Sequence, residues 1–290
     1  MANENKTLDG KKLANKLNLE LKNEIITLVE KTGIKPTLST IMVGENPASK
    51  IYVNIKHRTC EQVGINSLSV DLEENISKEH LFSKINELNK NRSIHGILLQ
   101  QPLPGILRDF TNEFIEAISP EKDVDGFHPL NRGKLFDYDE ELVACTPKGI
   151  IKLLEYHNVE LKGKDVTIIN RSNLVGKPLI FMFLKRNATP SICHTSTRNI
   201  ERYIKQADIL VVAVGRANFI TKEKIKRGVI IIDVGINRVG NKLYGDVDFE
   251  SVIDKVSLIT PVPGGVGPMT VSYLLQNTVL CYKKQLKIEQ

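Results

Sequence analysis

A tyrosine and a lysine four residues apart form the first pair in this chain whose side chains could act together. Asn46 and Pro47 mark a turn after an apolar run, and proline suits the first position of a helix. The following segment, 47–64, is therefore predicted to be helical, and one of its faces carries both Tyr52 and Lys56. Open α/β sheets bind ligands where strands end, as one does here. The same spacing also fits a half-buried ring beside a solvated charge, so the pair alone does not decide its role.

Size and composition restrict the class of protein. The chain has 290 residues, 41% hydrophobic and 26% charged, which is ordinary for one large or two medium α/β domains. Its formal net charge of +6 comes from scattered lysines, without an arginine-rich tract or interleaved aromatic residues. We therefore expect no nucleic-acid partner, and attraction for anionic small molecules explains the charge equally well.

The cysteines and the apolar runs indicate a cytoplasmic protein. Cys60, Cys145, Cys193 and Cys281 are far apart and form no C-x-x-C pair, so no metal site is predicted. Scattered single cysteines fit a reducing compartment. The polar stretch 1–6 lacks the apolar core of a signal peptide, and no run approaches the 18 or so apolar residues of a membrane span.

The first half of the chain alternates strands and helices. Apolar spacing predicts a helix over 8–32 and another over 77–88, beside the one at 47–64. Short β-prone runs at 37–43, 66–72 and 94–99 complete a parallel βαβαβ-like unit. A short helix at 111–118 and a carboxylate-rich loop at 119–129 follow, and such a loop by itself is typical of solvated surface.

The second half predicts a Rossmann-like, doubly wound parallel sheet. Strands are expected at 164–170, 188–194, 208–214, 229–234 and 255–259, with helices at 147–157 and 200–207 and one after Pro178. We expect two α/β domains, 1–143 and 144–267, with the C-terminal helix at 268–290 returning to the first. A G-x-G-x-x-G motif is missing, but Gly176 permits close approach at a helix N-terminus, which favours phosphate. Gly215 and Gly235 end strands and leave room for a flat ligand.

Seven short segments match one known family, in its order and over almost the whole chain. The segments are Val43-Gly44…Pro47-Ala48-Ser49…Tyr52-Val53…Lys56, Gly96-Ile97-Leu98…Gln100…Pro102-Leu103-Pro104, Pro120…Lys122-Asp123-Val124-Asp125-Gly126, Cys145-Thr146-Pro147, Arg171-Ser172…Val175-Gly176…Pro178, Asp233-Val234-Gly235-Ile236-Asn237 and Thr260-Pro261-Val262-Pro263-Gly264-Gly265-Val266-Gly267-Pro268-Met269-Thr270. On these matches the chain resembles the bifunctional methylenetetrahydrofolate dehydrogenase/cyclohydrolase family. The resemblance implies oxidation of 5,10-methylenetetrahydrofolate with NADP, hydrolysis of the methenyl product to 10-formyltetrahydrofolate in the same cleft, and a homodimer formed through the second domain.

The resemblance also implies roles for individual residues. Lys56 matches an essential lysine, which must be partly neutral to act as a base, and Gln100 matches the glutamine that hydrogen-bonds it. Tyr52 matches the ring that stacks on the aminobenzoate of folate, and Asp125 matches the carboxylate that grips the pterin. The loop expected over the folate consists of Pro263, Gly264, Gly265 and Val266. The expected cofactor-binding residues are Asn170, Arg171, Ser172, Thr195, Gly215 and Ile236.

The predicted choice of cofactor rests on the absence of an acidic residue after the second strand of this sheet. NAD enzymes usually place a carboxylate about 20 residues past the phosphate turn, on the ribose 2′-hydroxyl. Here the second strand ends in Thr195-Ser196-Thr197-Arg198, and Arg171 adds a guanidinium able to clasp a phosphate. We therefore predict NADP over NAD, with Arg198 as a solvated surface charge. The family usually has glycine in place of Asn170, which bears on cofactor affinity.

Three other hypotheses remain beside this one. An NAD-dependent methylenetetrahydrofolate dehydrogenase with weak or no cyclohydrolase activity would share most of the motifs. A short-chain dehydrogenase would explain Tyr52-x-x-x-Lys56, but that family places its nucleotide turn before the tyrosine, whereas here the nucleotide half follows. A non-catalytic nucleic-acid binder would explain only the basic charge.

Overall fold

A computed structural model describes residues 6–240 and 242–288 of the chain. The contacts divide the protein into two compact units. The first unit comprises Lys16–Gly133 and the chain from Val271 onward, and the second comprises the chain up to Asn15 together with Lys134–Thr270. Most of the N-terminal stretch that is predicted to carry no signal peptide lies outside the described residues.

Helices and strands alternate through both units. The helices in the described residues are α1 (Gly10–Thr32), α2 (Pro47–Val63), α3 (Lys78–Lys90), α4 (Thr111–Ala117), α5 (Pro129–Phe136), α6 (Cys145–Tyr156), α7 (Gly176–Lys185), α8 (Ile200–Gln206), α9 (Phe249–Val252) and α10 (Val266–Gln285). The strands are β1 (Thr37–Val43), β2 (Asn66–Leu72), β3 (Gly96–Leu99), β4 (Asp165–Ile169), β5 (Thr189–Cys193), β6 (Ile209–Val212), β7 (Ile230–Asp233), β8 (Asn237–Val239), β9 (Lys242–Tyr244) and β10 (Leu258–Ile259). Among these helices, none combines the length and apolar character needed to cross a bilayer.

The first unit is built on a parallel sheet of order β2-β1-β3. All seven residues of the central strand β1 are buried, as expected for a strand covered on both faces. One side packs against α3 and α4 through Ile41, Leu81, Ile85 and Phe114. Strands β2 and β3 lie on opposite sides of β1. The chain therefore runs from β1 to β2 on one side and then crosses to β3 on the other, and the order of the strands reverses between β1 and β3. The carboxyl ends of these two strands therefore frame the crevice in which such sheets bind ligands.

The second unit contains a five-stranded parallel sheet of order β10-β7-β6-β4-β5. The chain proceeds from β4 to β5 on one side and then continues with β6 on the other side of β4. The direction therefore changes between β4 and β6, and a crevice is expected at their carboxyl ends. The strands are apolar and buried; β6, for example, is Ile-Leu-Val-Val with every residue buried. The predicted doubly wound sheet is present.

Four short elements of the structure have no counterpart among the elements predicted from the sequence. Helix α5 follows the carboxylate-rich loop directly, and β8 and β9 form an antiparallel hairpin of three-residue strands. Helix α9 has only four residues. All of these elements are short, and the hairpin is mostly exposed. They therefore contain too few apolar residues for a helical or a strand spacing to be recognised in the sequence. Helix α10 begins at Val266, two residues before the predicted start.

Candidate active site

The N-terminus of α2 places Tyr52 and Lys56 at the carboxyl end of β1. The Asn46 side chain accepts a hydrogen bond from the Ser49 N–H at 3.1 Å, and Pro47 opens the helix. These two residues cap the helix as their types predict. Tyr52 precedes Lys56 by about one turn and leaves 37% of its surface exposed. Burial of the remainder raises the pKa of the Tyr52 hydroxyl.

Lys56 reaches across the crevice to Gln100, which follows β3. Lys56 Nζ donates to Gln100 Oε1 at 3.0 Å. The carboxamide of Gln100 also donates through Nε2 to the Gln101 carbonyl at 2.7 Å, while its backbone N–H donates to Ile41. Because the Nε2 atom is engaged on the protein side, the oxygen of Gln100 is the atom that faces the lysine. The pair joins the two strands that border the crevice.

In the loop after α4, the charged side chains of Lys122 and Asp123 hold the loop in its conformation. The Lys122 ammonium is buried and donates to the carbonyls of Leu88, Asn89 and Asn91 at 2.8–3.1 Å. These carbonyls belong to the end of α3, where the helix dipole favours a cation. The Asp123 carboxylate is also buried and accepts from the N–H groups that follow it, at positions 127 and 128, and from the side-chain amide at position 131.

Asp125 is the carboxylate of this loop that joins Lys56 and Gln100. Ile97 pairs with Asp123 in an isolated parallel bridge, which places the turn that carries Asp125 beside β3, the strand that Gln100 follows. Removal of water around the carboxyl raises the pKa of Asp125 to about 6, although the positive charge of Lys56 opposes the shift. The structure therefore brings together three of the predicted residues, an amine, a carboxamide and a carboxyl group, within the first unit.

In the second unit, Asn170 organises the turn at the β4/β6 crevice. Its Nδ2 donates to the Ala213 carbonyl after β6 at 2.7 Å, which ties the two strand ends together. Its Oδ1 accepts from the Ser172 N–H, the Ser172 hydroxyl and the Gly176 N–H at 2.7–3.0 Å. The amide at the start of α7, expected to favour phosphate, is thus occupied by a side chain. A Cβ on Gly176 would lie 2.1 Å from the Asn170 carbonyl, so glycine is needed there for packing.

The remaining predicted cofactor residues border the same edge of the second sheet. Arg171 and Thr195 are exposed at the ends of β4 and β5, and Ile236 is 45% exposed after β7. Gly215 follows β6 with a φ of 68°, and a Cβ added there would meet nothing within 4 Å. This set of hydroxyl, guanidinium and open apolar surface fits the phosphates and flat rings of a dinucleotide.

The predicted folate loop belongs to the second unit. Pro263 is exposed, whereas Gly265 and Val266 are buried. The Gly264 carbonyl accepts from the Lys11 N–H at 2.8 Å, so the first turn of α1 holds the loop.

Two family descriptions match the chain. Residues 8–125 match the tetrahydrofolate dehydrogenase/cyclohydrolase catalytic domain, and residues 144–286 match the NAD(P)-binding domain of the same family. The chain belongs to the tetrahydrofolate dehydrogenase/cyclohydrolase family. This membership accounts for both clusters, one in each matched region.

Named relatives agree with the family match. The chain is 53% identical to a bifunctional protein FolD of Methanosarcina barkeri, over 96% of each chain. A solved bifunctional FolD structure from Campylobacter jejuni is 47% identical with a TM-score of 0.92, covering 96% of this chain and 98% of its own. A FolD structure from Trypanosoma brucei, complexed with NADP cofactor and an inhibitor, is 33% identical with a TM-score of 0.93, covering 97% and 98%.

These comparisons confirm several predictions from the sequence. The family, the two α/β domains, the enzyme class and the NADP-dependent bifunctional activity all agree with them. Because the relatives are named as bifunctional, an NAD-dependent dehydrogenase with weak or no cyclohydrolase activity is not favoured.

Sequence reasoning did not single out Asp246. Its carboxylate accepts hydrogen bonds from the N–H groups of Val214, Gly215 and Arg216, next to the predicted cofactor residues. An aspartate after a short hairpin carries no local signal of such a role, because its partners lie about 30 residues earlier in the chain.

Proposed function

We propose that Lys56, Gln100 and Asp125 carry the hydrolytic chemistry, and that residues at the β4/β6 crevice hold NADP. In this proposal, 1–143 with the C-terminal helix 268–290 forms the folate-binding catalytic domain, and 144–267 forms the NADP-binding domain. The observation that carries it is the 3.0 Å hydrogen bond between Lys56 and Gln100 beside Asp125. An amine oriented in this way can handle the protons of a hydrolysis.

In the hydrolysis, Lys56 acts as the general base. The water oxygen attacks the methenyl carbon, which bears the positive charge shared with its two nitrogens, while the neutral amine of Lys56 takes a proton from the water. The proton then passes to the pterin-side nitrogen. As the bond from that nitrogen to carbon breaks, the hydroxyl on the carbon releases its proton to solvent and becomes the carbonyl of a formyl group, which stays on the other nitrogen. A neutral Lys56 that donates one N–H to Gln100 keeps its lone pair free for the water, so Gln100 sets the direction of proton transfer.

Asp125 and Tyr52 bind the substrate. The pterin presents an edge of amide and amine donors, and an ionised Asp125 offers two acceptor oxygens to it. The half-exposed ring of Tyr52, one turn before the base, supplies a flat apolar face for the aminobenzoate. In the loop Pro263, Gly264, Gly265 and Val266, the contact with folate is proposed to come chiefly from exposed Pro263 and the backbone beside it.

The bound NADP supplies the acceptor for the hydride of the dehydrogenase step. Arg171 is proposed to clasp the 2′-phosphate, because it is exposed at the end of β4 and the segment 194–199 directly after β5 contains no acidic residue. Ser172 and Thr195 offer hydroxyls, and Gly215 and Ile236 border the flat rings. Asn170 shapes this site through its four hydrogen bonds, since its carboxamide is engaged by the protein.

A homodimer formed through the second domain, acting in the cytoplasm, completes the proposal. Its support is the family resemblance and the scattered cysteines. Sedimentation of the purified protein tests the dimer, and a single species of monomer mass would refute it.

The function is tested by incubating the protein with 5,10-methylenetetrahydrofolate and either NADP or NAD. We expect cofactor reduction and a transient methenyl absorbance with NADP, and a markedly slower reaction with NAD. Equal catalytic efficiency with both cofactors would refute the NADP preference. Methenyl that accumulates without decaying beyond the uncatalysed rate would refute the cyclohydrolase assignment.

A further inference from the structure

A buried carboxylate lies beneath the loops that border the proposed cofactor site. Asp246 has no exposed surface. Its Oδ2 accepts from the N–H groups of Val214 and Gly215 at 2.6 and 3.0 Å. Its Oδ1 accepts from the Arg216 N–H and from Asn237 Nδ2, both at 2.8 Å. One side chain therefore fixes two separate loops through four neutral donors.

The two loops belong to neighbouring strands at the carboxyl edge of the sheet. The first follows β6 and carries Gly215, and the second follows β7 and carries Ile236. A Cβ on Gly235 would lie 2.2 Å from the carboxyl carbon of Asp246, so the second loop passes directly over the carboxylate. Position 235 therefore needs glycine, because any side chain there would collide with the Asp246 carboxylate.

A second carboxylate, Asp233 at the end of β7, holds Asp246 in place. It accepts from the N–H groups of Asp246 and Val247 at 2.9 and 3.0 Å, and from Gly235 at 3.0 Å. Burial raises the pKa of Asp233 to about 7, although the backbone N–H groups oppose the shift. The Asp233 N–H in turn donates to the Thr260 hydroxyl at 2.7 Å. The end of β7, Asp246 and the two loops are therefore joined in one hydrogen-bond network.

We propose that Asp246 is a positioning residue for NADP, which holds the loops of Gly215 and Ile236 in the conformation that receives the cofactor. The inference rests on the proposed cofactor site. It assigns Asp246 no contact with NADP, because the side chain is buried below the loops. Free loops would have to be ordered during binding, and a carboxylate that orders them beforehand lowers that cost.

The substitution Asp246→Asn tests this directly, because it keeps the shape and removes one acceptor. Each oxygen of Asp246 accepts two donors, so in either orientation the new amide group faces two N–H donors and leaves them unpaired. Loss of such charged hydrogen bonds should raise the dissociation constant for NADP about tenfold or more. Amide hydrogen exchange at 214–216 and 235–237 should quicken in the cofactor-free protein.

Asp208→Asn is the matched control. Asp208 lies just before β6, at the opposite edge of the same sheet, and its carboxylate accepts from the Asp165 N–H and pairs with Lys226. We expect this variant to bind NADP within about twofold of the wild type, whatever its effect on stability. In steady-state assays, Asp246→Asn should raise the KM for NADP and leave kcat at saturating NADP nearly unchanged.

Each outcome of the titrations decides the inference. Unchanged NADP affinity in Asp246→Asn, or equal losses in both variants, would overturn it. If Asp246→Asn does not fold, Asn237→Ala decides, because it removes one of the four donors; a severalfold loss of NADP affinity supports the inference and an unchanged affinity overturns it. A wild-type protein that does not bind NADP would refute the proposed cofactor site itself.

Discussion

Replacement of Asp125 by asparagine should weaken folate binding in a way that depends on pH. The pKa of Asp125 is raised to about 6, chiefly because the carboxyl is shielded from water. The ionised form, which offers two acceptor oxygens, therefore prevails only above about pH 6. Affinity that depends on this form is present at neutral pH and is lost as the pH falls through that value.

The size of the effect follows from the ionised fraction. With a pKa of about 6, the ionised fraction of Asp125 falls from about 0.97 at pH 7.5 to about 0.09 at pH 5, roughly tenfold. Asparagine keeps one acceptor oxygen but removes the charge, so a loss of about 1.5–3 kcal/mol is expected at pH 7.5. This loss corresponds to an affinity about ten- to hundredfold lower.

The assay is calorimetric titration of a reduced folate into the wild-type protein and Asp125→Asn at pH 7.5 and pH 5. Because the ligand itself can titrate, the informative quantity is the ratio of the two dissociation constants at each pH. We expect this ratio to shrink about tenfold at pH 5. NADP binding should be the same in both proteins, since Asp125 belongs to the first unit.

A ratio that stays constant between the two pH values would show that Asp125 does not bind folate as a titrating carboxylate. A selective loss of NADP affinity in Asp125→Asn would show that the loop serves the other site.

Other substitutions test the remaining parts of the account. Arg171→Ala should lower kcat/KM with NADP about ten- to hundredfold and leave kcat/KM with NAD nearly unchanged; equal losses would remove Arg171 from the 2′-phosphate. Asn170→Gly removes the four hydrogen bonds of this carboxamide and should lower the free energy of unfolding in urea by about 1–2 kcal/mol, and an unchanged midpoint would contradict its role. Lys122→Met leaves three carbonyls without their cation and should cost about 2 kcal/mol or more. Lys205→Met, which breaks the exposed ion pair with Glu201, should cost under about 1 kcal/mol, and equal costs would argue against a structural role for Lys122.

The sequence was sufficient for the elements that follow a regular period. The spacing of Tyr52 and Lys56, with Asn46 and Pro47 before them, predicted α2 and the face it presents. The buried parallel strands were also predictable, because runs such as that of β6 are continuously apolar.

The roles within the acidic loop were not predictable from its residues alone. Lys122, Asp123 and Asp125 are close in sequence and similarly polar, yet the first two bind backbone groups and only the third faces Lys56. The division depends on the end of α3 and on the parallel bridge to Ile97, both distant in sequence. The family resemblance identified Asp125 as the residue that binds the pterin, whereas the residue types in the loop did not distinguish it from Asp123.

Contacts between distant segments account for what the sequence did not reveal. Asn170 drew attention only as a departure from the usual glycine, and its four hydrogen bonds depend on where β6 and α7 lie. Asp246 depends on loops about 30 residues earlier, and no periodic pattern records such a contact.

The role of Lys56 as the base of the hydrolysis is tested by following the decay of methenyltetrahydrofolate with the variant Lys56→Met. Lys50→Met is the matched control, because Lys50 lies on the same helix and pairs with exposed Glu45 at the surface. We expect that Lys56→Met still binds folate but hydrolyses the methenyl compound no faster than buffer, whereas Lys50→Met hydrolyses it at the wild-type rate. Hydrolysis by Lys56→Met at the wild-type rate would show that Lys56 is not the base.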